Sequence, residues 1–413
     1  MVSLMRRRTP SCNHAEGDRI RILLAWELGG GLGHVARLAR LAKLLLDRGA
    51  EVLVATRPGT NWNWAFAVSA RYGNRFRLIN APVVDPQDAA TWIVAKKETL
   101  ADALVGFGYD RPELVFQSAD LWNSIMARLR PDLVISDSAP SLNLTAAGRV
   151  PLVCVGPPFL VPPRGRSLPP LRLGVQDVSA RGRRQERRVL ETVNLIRRAN
   201  RLPSYQFCSD VWHGDLTFVA GPPDLDPHAW DTSRIHAGPF DMAPAAAATA
   251  TQTDVYIYLP RSAKAGRQLV QHFTGIGLSC IAYVGGGDAM RVQEQGAIFL
   301  DRPAALLAQL AECRLFAHEG GLASTWAALR TETPQLILPL DAEKANTAAL
   351  AARLSPDVFA HRSLATERLA KQMVADVEAC TVPARPRQIK LGQTCTAETL
   401  IHKAMMLCGP YQG

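Results

Sequence analysis

A chain of 413 residues is long for one hydrophobic core and comfortable for two domains, and 47% apolar with 20% charged residues describes a globular protein. No apolar run reaches the roughly 18 residues that a membrane span needs. The eight cysteines, scattered from Cys12 to Cys408 without a C-x-x-C pair, argue against a zinc site or a disulfide framework and suit a reducing cytoplasm. The formal charge of +10 comes partly from Arg6-Arg7-Arg8, the run Arg181 to Arg188 and Arg197-Arg198. It reads first as a solvated helix face, with attraction to an anionic membrane surface as the functional alternative; no module that would read nucleic acid accompanies it.

Residues 1–18 are polar and lack an apolar stretch after the arginines, which predicts a flexible tail instead of a signal peptide. From Arg19 the pattern alternates. Arg21 to Trp26 is a short apolar run of the kind that forms a buried parallel strand. Val35, Leu38, Leu41, Ala42 and Leu45 then fall at helical spacing, Arg48-Gly49 stops the helix, and Glu51 to Ala55 is the next strand. The loop Gly29 to His34 between them is no dinucleotide fingerprint, since His34 stands at its sixth place, and no Gly-Lys-Ser/Thr follows for a Walker loop. It is a Gly-rich turn that puts His34 at the carboxyl end of the sheet, where open α/β sheets bind ligands.

Further strands are expected at Arg77 to Ile79, Asp132 to Ser136, Pro151 to Val155 and Leu216 to Val219, with helical pattern from Ala89 to Arg130 broken near Gly106-Phe107-Gly108. Asp137 closes the second of these strands, where it could orient His34 or cap the following helix. Phe159 to Leu173, rich in proline and arginine, reads as an irregular loop. An Ala/Thr tract marks a linker at 241–253, separating a first domain at 19–240 from a second at 254–413. There the alternation restarts with strands at Val255 to Leu259, Ser279 to Val284, Ala297 to Leu300 and Arg314 to Ala317, and helices around Gln268 to Phe273 and Ala304 to Glu312. The final helix is expected to pack back on the first domain.

The most telling segment runs from Phe316 to Leu329: a strand, the pair Gly320-Gly321, then a helix opening near Ser324-Thr325, closed by Thr333-Pro334 before the strand Gln335 to Pro339. Free N–H groups at such a helix start carry the positive dipole end and suit a phosphate, which glycines allow to approach. This arrangement resembles the donor-binding segment of the UDP-glycosyltransferase superfamily. Gly320, Gly321, Ser324, Thr325, Ala328, Leu329, Pro334, Pro339, Glu343 and Asn346 keep its pattern. Glu319 stands in the place of its histidine, with His318 one place earlier; Ala327 replaces its ribose-binding glutamate and Lys344 its glutamine.

The resemblance implies a GT-B fold, two doubly wound Rossmann-like domains facing a cleft, the first binding the acceptor and the second a nucleotide sugar. It implies an inverting, metal-independent transfer of a sugar from a nucleotide-diphosphate sugar to a hydroxyl of a small-molecule, lipid or glycan acceptor, without a cofactor. His34 would be the base, with Asp137 as its partner and Gly31 and Gly33 in the acceptor loop. Arg261, Ser262, Arg302, His318, Gly320, Gly321, Ser324, Thr325, Glu343 and Lys344 would meet the donor. Arg261 would also offset Glu319, and Lys344 would favour an acidic sugar or touch phosphate. Acceptor pockets would come from variable loops, Trp62 to Tyr72 and Phe159 to Leu173. The other reading of the departures is a catalytically degenerate GT-B protein that binds a ligand or partner without turnover.

Overall fold

Each short run rich in Val, Leu and Ile forms a parallel strand, and the amphipathic stretches between the runs form helices that cover the sheets. The computed structural model describes residues 19–30, 32–60, 63–82, 97–240, 251–285, 296–301, 303–360 and 389–408. The expected tail 1–18, most of the linker, Gly31, Trp62 and Arg302 lie outside the described residues.

In chain order the first half contains β1 (Arg21–Trp26), α1 (Leu32–Asp47), β2 (Glu51–Thr56), α2 (Asn63–Tyr72), β3 (Phe76–Asn80), α3 (Leu100–Gly106) and α4 (Pro112–Leu129). It continues through β4 (Leu133–Asp137), α5 (Pro140–Ala146), β5 (Leu152–Gly156), α6 (Ala180–Ala199), β6 (Leu216–Ala220) and β7 (Ile235–Ala237). The second half contains β8 (Thr253–Leu259), α7 (Ala263–Gly275), β9 (Cys280–Val284), β10 (Ala297–Phe299), α8 (Leu306–Ala311), β11 (Cys313–His318) and α9 (Leu322–Arg330). Then follow β12 (Gln335–Ile337), α10 (Ala342–Leu354), β13 (Val358–Ala360) and a helix at Ala397–Met405.

The first sheet has the order β3-β2-β1-β4-β5-β6-β7 and the second β10-β9-β8-β11-β12-β13. The two orders share one plan, with every described pair parallel and the strand order reversing between β1 and β4 and again between β8 and β11. A crevice opens at such a reversal, outside the carboxyl ends of the strands. Strand period sorts the core. Ile22, Leu24 and Trp26 pack with Leu38, Leu41 and Leu45 of α1 on one face of the sheet, while Leu23 and Ala25 pack with Trp122 and Leu142 on the other.

Three features tie distant parts of the chain together. Leu400, Ile401, Ala404 and Met405 of the helix Ala397–Met405 join the core beside α1, and Glu398 pairs with Arg40. Leu225 of the first half shares an apolar cluster with Trp326, Leu329 and Ile337 of the second. Asn346 of α10 donates to the Leu171 carbonyl (2.7 Å) and accepts from the Leu173 amide (3.2 Å), pinning the proline-rich segment of the first half to the second.

One expectation is corrected. The stretch up to Tyr72, read as a variable loop, is largely the helix α2. Its sequence Asn-Trp-Ala-Phe-Ala-Val-Ser-Ala-Arg-Tyr contains neither glycine nor proline to break a helix. Among the described residues no helix is long and apolar enough to cross a membrane.

Candidate active site in the cleft

The first cluster grows from β1 and β4, neighbours in register with Trp26 opposite Asp137. Beyond Trp26 the chain turns through Gly29, whose φ of +96° lies in the left-handed region. A side chain there would also collide with the imidazole, since a Cβ on Gly29 would sit 2.7 Å from His34 Nε2. Glycine is therefore required twice, by the turn and by the ring. The turn is held from below: the Leu28 amide donates to the Ser138 carbonyl (2.9 Å), and Glu27 accepts from the amides of Ser141 (2.9 Å) and Leu142 (2.8 Å) at the start of α5.

His34, in the first turn of α1, stacks on Trp26 with centroids 4.8 Å apart and planes within 10°. Its Nδ1 lies 2.9 Å from Asp137 Oδ1, and Arg37, one helical turn on, donates from Nη1 to Asp137 Oδ2 at 2.6 Å. Asp137 is fully buried. Burial alone would raise its pKa, but the Arg37 guanidinium and His34 outweigh burial and hold the carboxyl below its usual range. An ionised Asp137 accepting at Nδ1 fixes the tautomer that leaves Nε2 as an acceptor. Glu27 behaves in the opposite way: burial raises its pKa to about 7 despite the two α5 amides that favour the charged form.

The second cluster forms at the matching place in the second sheet, where His318 of β11 lies opposite Tyr258 of β8. Glu319 follows β11 and Arg261 follows β8. The Glu319 carboxylate accepts from the Arg261 amide (2.7 Å), from Arg261 Nε (3.3 Å) and from Lys344 Nζ (2.7 Å). Asp341, the N-cap of α10, takes Arg261 Nη2 at 3.0 Å. Arg261 thus meets Glu319, as expected, but the Lys344 ammonium is engaged by a carboxylate of the protein itself. Next, Gly320 has φ of +84°, and a Cβ there would come within 2.7 Å of Ile337 Cγ2. Gly321 is the N-cap of α9, no side chain caps that helix, and a Cβ on Gly321 would meet no described atom within 4 Å. In its first turns Ser324 is half-buried, and the Thr325 hydroxyl is buried without a hydrogen-bond partner among the described residues.

The expectation for His318 does not hold. The ring is fully buried, stacks on Phe316, accepts the Gly320 amide at Nδ1 (3.1 Å) and lies 3.0 Å from Gln335 Oε1 at Nε2. Burial pushes its pKa down to about 3. Phe316 and His318 share one face of β11, and β11, between β8 and β12, is buried on both faces there, so the ring is enclosed. Ser262 precedes α7 half-buried without capping it, and Gly33 is exposed near the start of α1.

Glu343 connects the two clusters. It lines a recess with Pro158, Phe159 and Leu225 of the first half and Leu322, Asn346 and Thr347 of the second. Burial, then Asp341, raises its pKa, while His34 across the cleft acts in the opposite sense. No group of three or more metal-ligating side chains occurs among the described residues. The spacing Asp224-Leu225-Asp226 is acidic D-x-D by letter, yet both carboxylates are engaged. Asp226 binds Arg234 (2.6 Å) and His236 (2.9 Å), and Asp224 accepts the Gly392 amide.

Arg37, Glu27 and the bridging role of Asn346 escape a reading of the sequence. For Arg37 a signal existed, its placement three residues after His34 on one helix face.

No family model and no curated protein sequence matches the chain. Solved structures do. It is similar to the glycosyltransferase of kitacinnamycin at 16% identity and a TM-score of 0.61, covering 94% of this chain and 95% of that one. The glycosyltransferase SsfS6 of Streptomyces sp. SF2575, complexed with thymidine diphosphate, matches at 16% identity and 0.58, over 94% and 100%. The spinosyn rhamnosyltransferase SpnG, complexed with spinosyn aglycone, matches at 17% and 0.55, over 94% and 95%. The chain has the GT-B fold, as its sequence led one to expect.

Proposed function

We propose that the protein is a glycosyltransferase that moves a sugar from a nucleoside diphosphate to a hydroxyl of a small-molecule acceptor, with inversion and without a metal. The observation that carries this reading is the His34–Asp137–Arg37 cluster at the strand-order reversal of the first sheet. With Nδ1 held by Asp137, Nε2 takes the acceptor hydroxyl proton as that oxygen bonds to the anomeric carbon. The bond from that carbon to the diphosphate oxygen breaks on the opposite side, so configuration inverts. Asp137 stabilises the imidazolium, and the uncapped start of α9, with a Thr325 hydroxyl that has no partner among the described residues, suits the departing diphosphate. The relatives in fold that hold thymidine diphosphate and an aglycone support both substrate classes.

A cytoplasmic setting belongs to this proposal, as does contact with an anionic surface through Arg183, Arg184 and Arg187, which stand exposed on α6. One observation favours a second reading, binding without turnover: Arg261 and Lys344 are already paired with Glu319. Mass-spectrometric screening of thymidine- and uridine-diphosphate sugars against a panel of hydroxylated acceptors separates the two. Transfer that disappears in His34→Ala supports the enzyme. Thermal stabilisation by a nucleotide with no product from any pair supports the binding protein, and neither effect refutes both.

A further inference from the structure

Resting on the reading of the second lobe as a diphosphate site, Glu319 acquires a role of its own. Its side chain is only 6% exposed, and its two oxygens collect three donors from two separate elements, the loop after β8 and the first turn of α10. With Asp341 beside them, two cations face two carboxylates, so the cluster is balanced before any ligand arrives. Its position matters as much as its partners. Glu319 immediately precedes Gly320-Gly321 and the open start of α9, so an anion held at that helix start lies within a few residues of Glu319 along the chain. Arg261 remains reachable from solvent at 46% side-chain exposure, while Lys344, at 13%, opens only when its contact with Glu319 is exchanged.

We propose that Glu319 is a built-in competitor for the donor diphosphate: it occupies the Arg261 and Lys344 donors in the free protein, and the donor binds by re-partnering them. Glu319 is then a determinant of donor affinity, set against tight binding of the anion. A glutamine keeps the size and one acceptor for the Arg261 amide but removes the charge. A role in merely ordering the two cations predicts the reverse sign, because cations released from their anchor hold a phosphate less well.

The test is calorimetric titration of the full chain with thymidine diphosphate and with inorganic pyrophosphate, for wild type, Glu319→Gln and Glu319→His, the last carrying the residue of the resembled family. Both variants are expected to bind each probe about tenfold more tightly. Lys344→Met in the Glu319→Gln background is expected to cancel most of that gain. Unchanged or weaker binding by the variants, with measurable binding by wild type, overturns the competitor while leaving the nucleotide reading intact. Absence of binding by all variants overturns both. Glu319→His keeps the question answerable where Glu319→Gln fails to fold.

Discussion

Both lobes set a charge cluster at the same place on the same sheet plan, just past the two strands where the order reverses, but they treat charge differently. In the first lobe a fully buried Asp137 holds a buried histidine and a buried arginine at 2.9 and 2.6 Å. In the second, Arg261 and Lys344 share Glu319 and Asp341 at the rim, with Arg261 half in water. Burial makes the first cluster expensive to rearrange, since parting Arg37 from Asp137 strands two charges away from solvent. Exposure makes the Arg261 side of the second one exchangeable, because screened surface pairs cost little to break, while the Lys344–Glu319 contact sits deeper. A site that must aim a proton acceptor benefits from the former. A site that must take in and release a multiply charged group benefits from the latter.

The comparison can be broken at its stronger end first. His34→Ala is expected to lower kcat by about 10²- to 10⁴-fold on whichever donor and acceptor pair is active, with nucleotide affinity unchanged by calorimetry. Equal turnover would remove the histidine from the chemistry. Asp137→Asn is expected to destabilise the fold by about 3–5 kcal/mol, because the buried Arg37 loses its counter-charge; urea unfolding measures it. A loss near that of an exposed pair would show that the first cluster is not the rigid one.

Protonation sharpens the contrast within the first lobe. The Asp137 pKa is depressed, so its contribution is present above the unfolded value of 3.8 and fades as pH falls through the lower folded value. The Glu27 pKa is raised from 4.5 to about 7, so its contribution is full below pH 4.5 and lost as pH rises through about 7. Stability should therefore decline by a few kcal/mol as pH rises from about 4.5 to about 7, and Glu27→Gln should flatten that limb in urea midpoints taken from pH 4 to 8. The smallest effect concerns the join between lobes. Asn346→Ala removes two hydrogen bonds to the segment around Leu171 and is expected to cost about 1–2 kcal/mol. Limited proteolysis near Leu173 would report it as faster cleavage.

Much of this plan was legible beforehand, because parallel strands buried on both faces betray themselves as short apolar runs. One pairing was open to view too: a glycine turn after the first strand and an aspartate closing the fourth can bring His34 and Asp137 together in a doubly wound sheet. What escaped was direction and partnership. His318 sits one residue before the motif position, and in a strand one residue decides between the cleft and the core. Lys344 looked free to choose a sugar because its partner, Glu319, lies 25 positions away in sequence, and the chain must fold before a 2.7 Å contact exists. Arg37 offered only its spacing, three residues after His34 on one helix face. That it would share Asp137 with His34 required the strand and the helix to be placed against each other.

The helix Ala397–Met405 has a temporal consequence. It completes the wall around α1, although more than 150 residues of the second sheet's territory separate it from β7. On the ribosome, the amino-terminal half emerges with that wall unfinished and stays so until synthesis has passed residue 405. The apolar cluster that α1 shares with Leu400, Ile401 and Ala404 stays incomplete, solvated or chaperoned, until a segment translated almost last arrives.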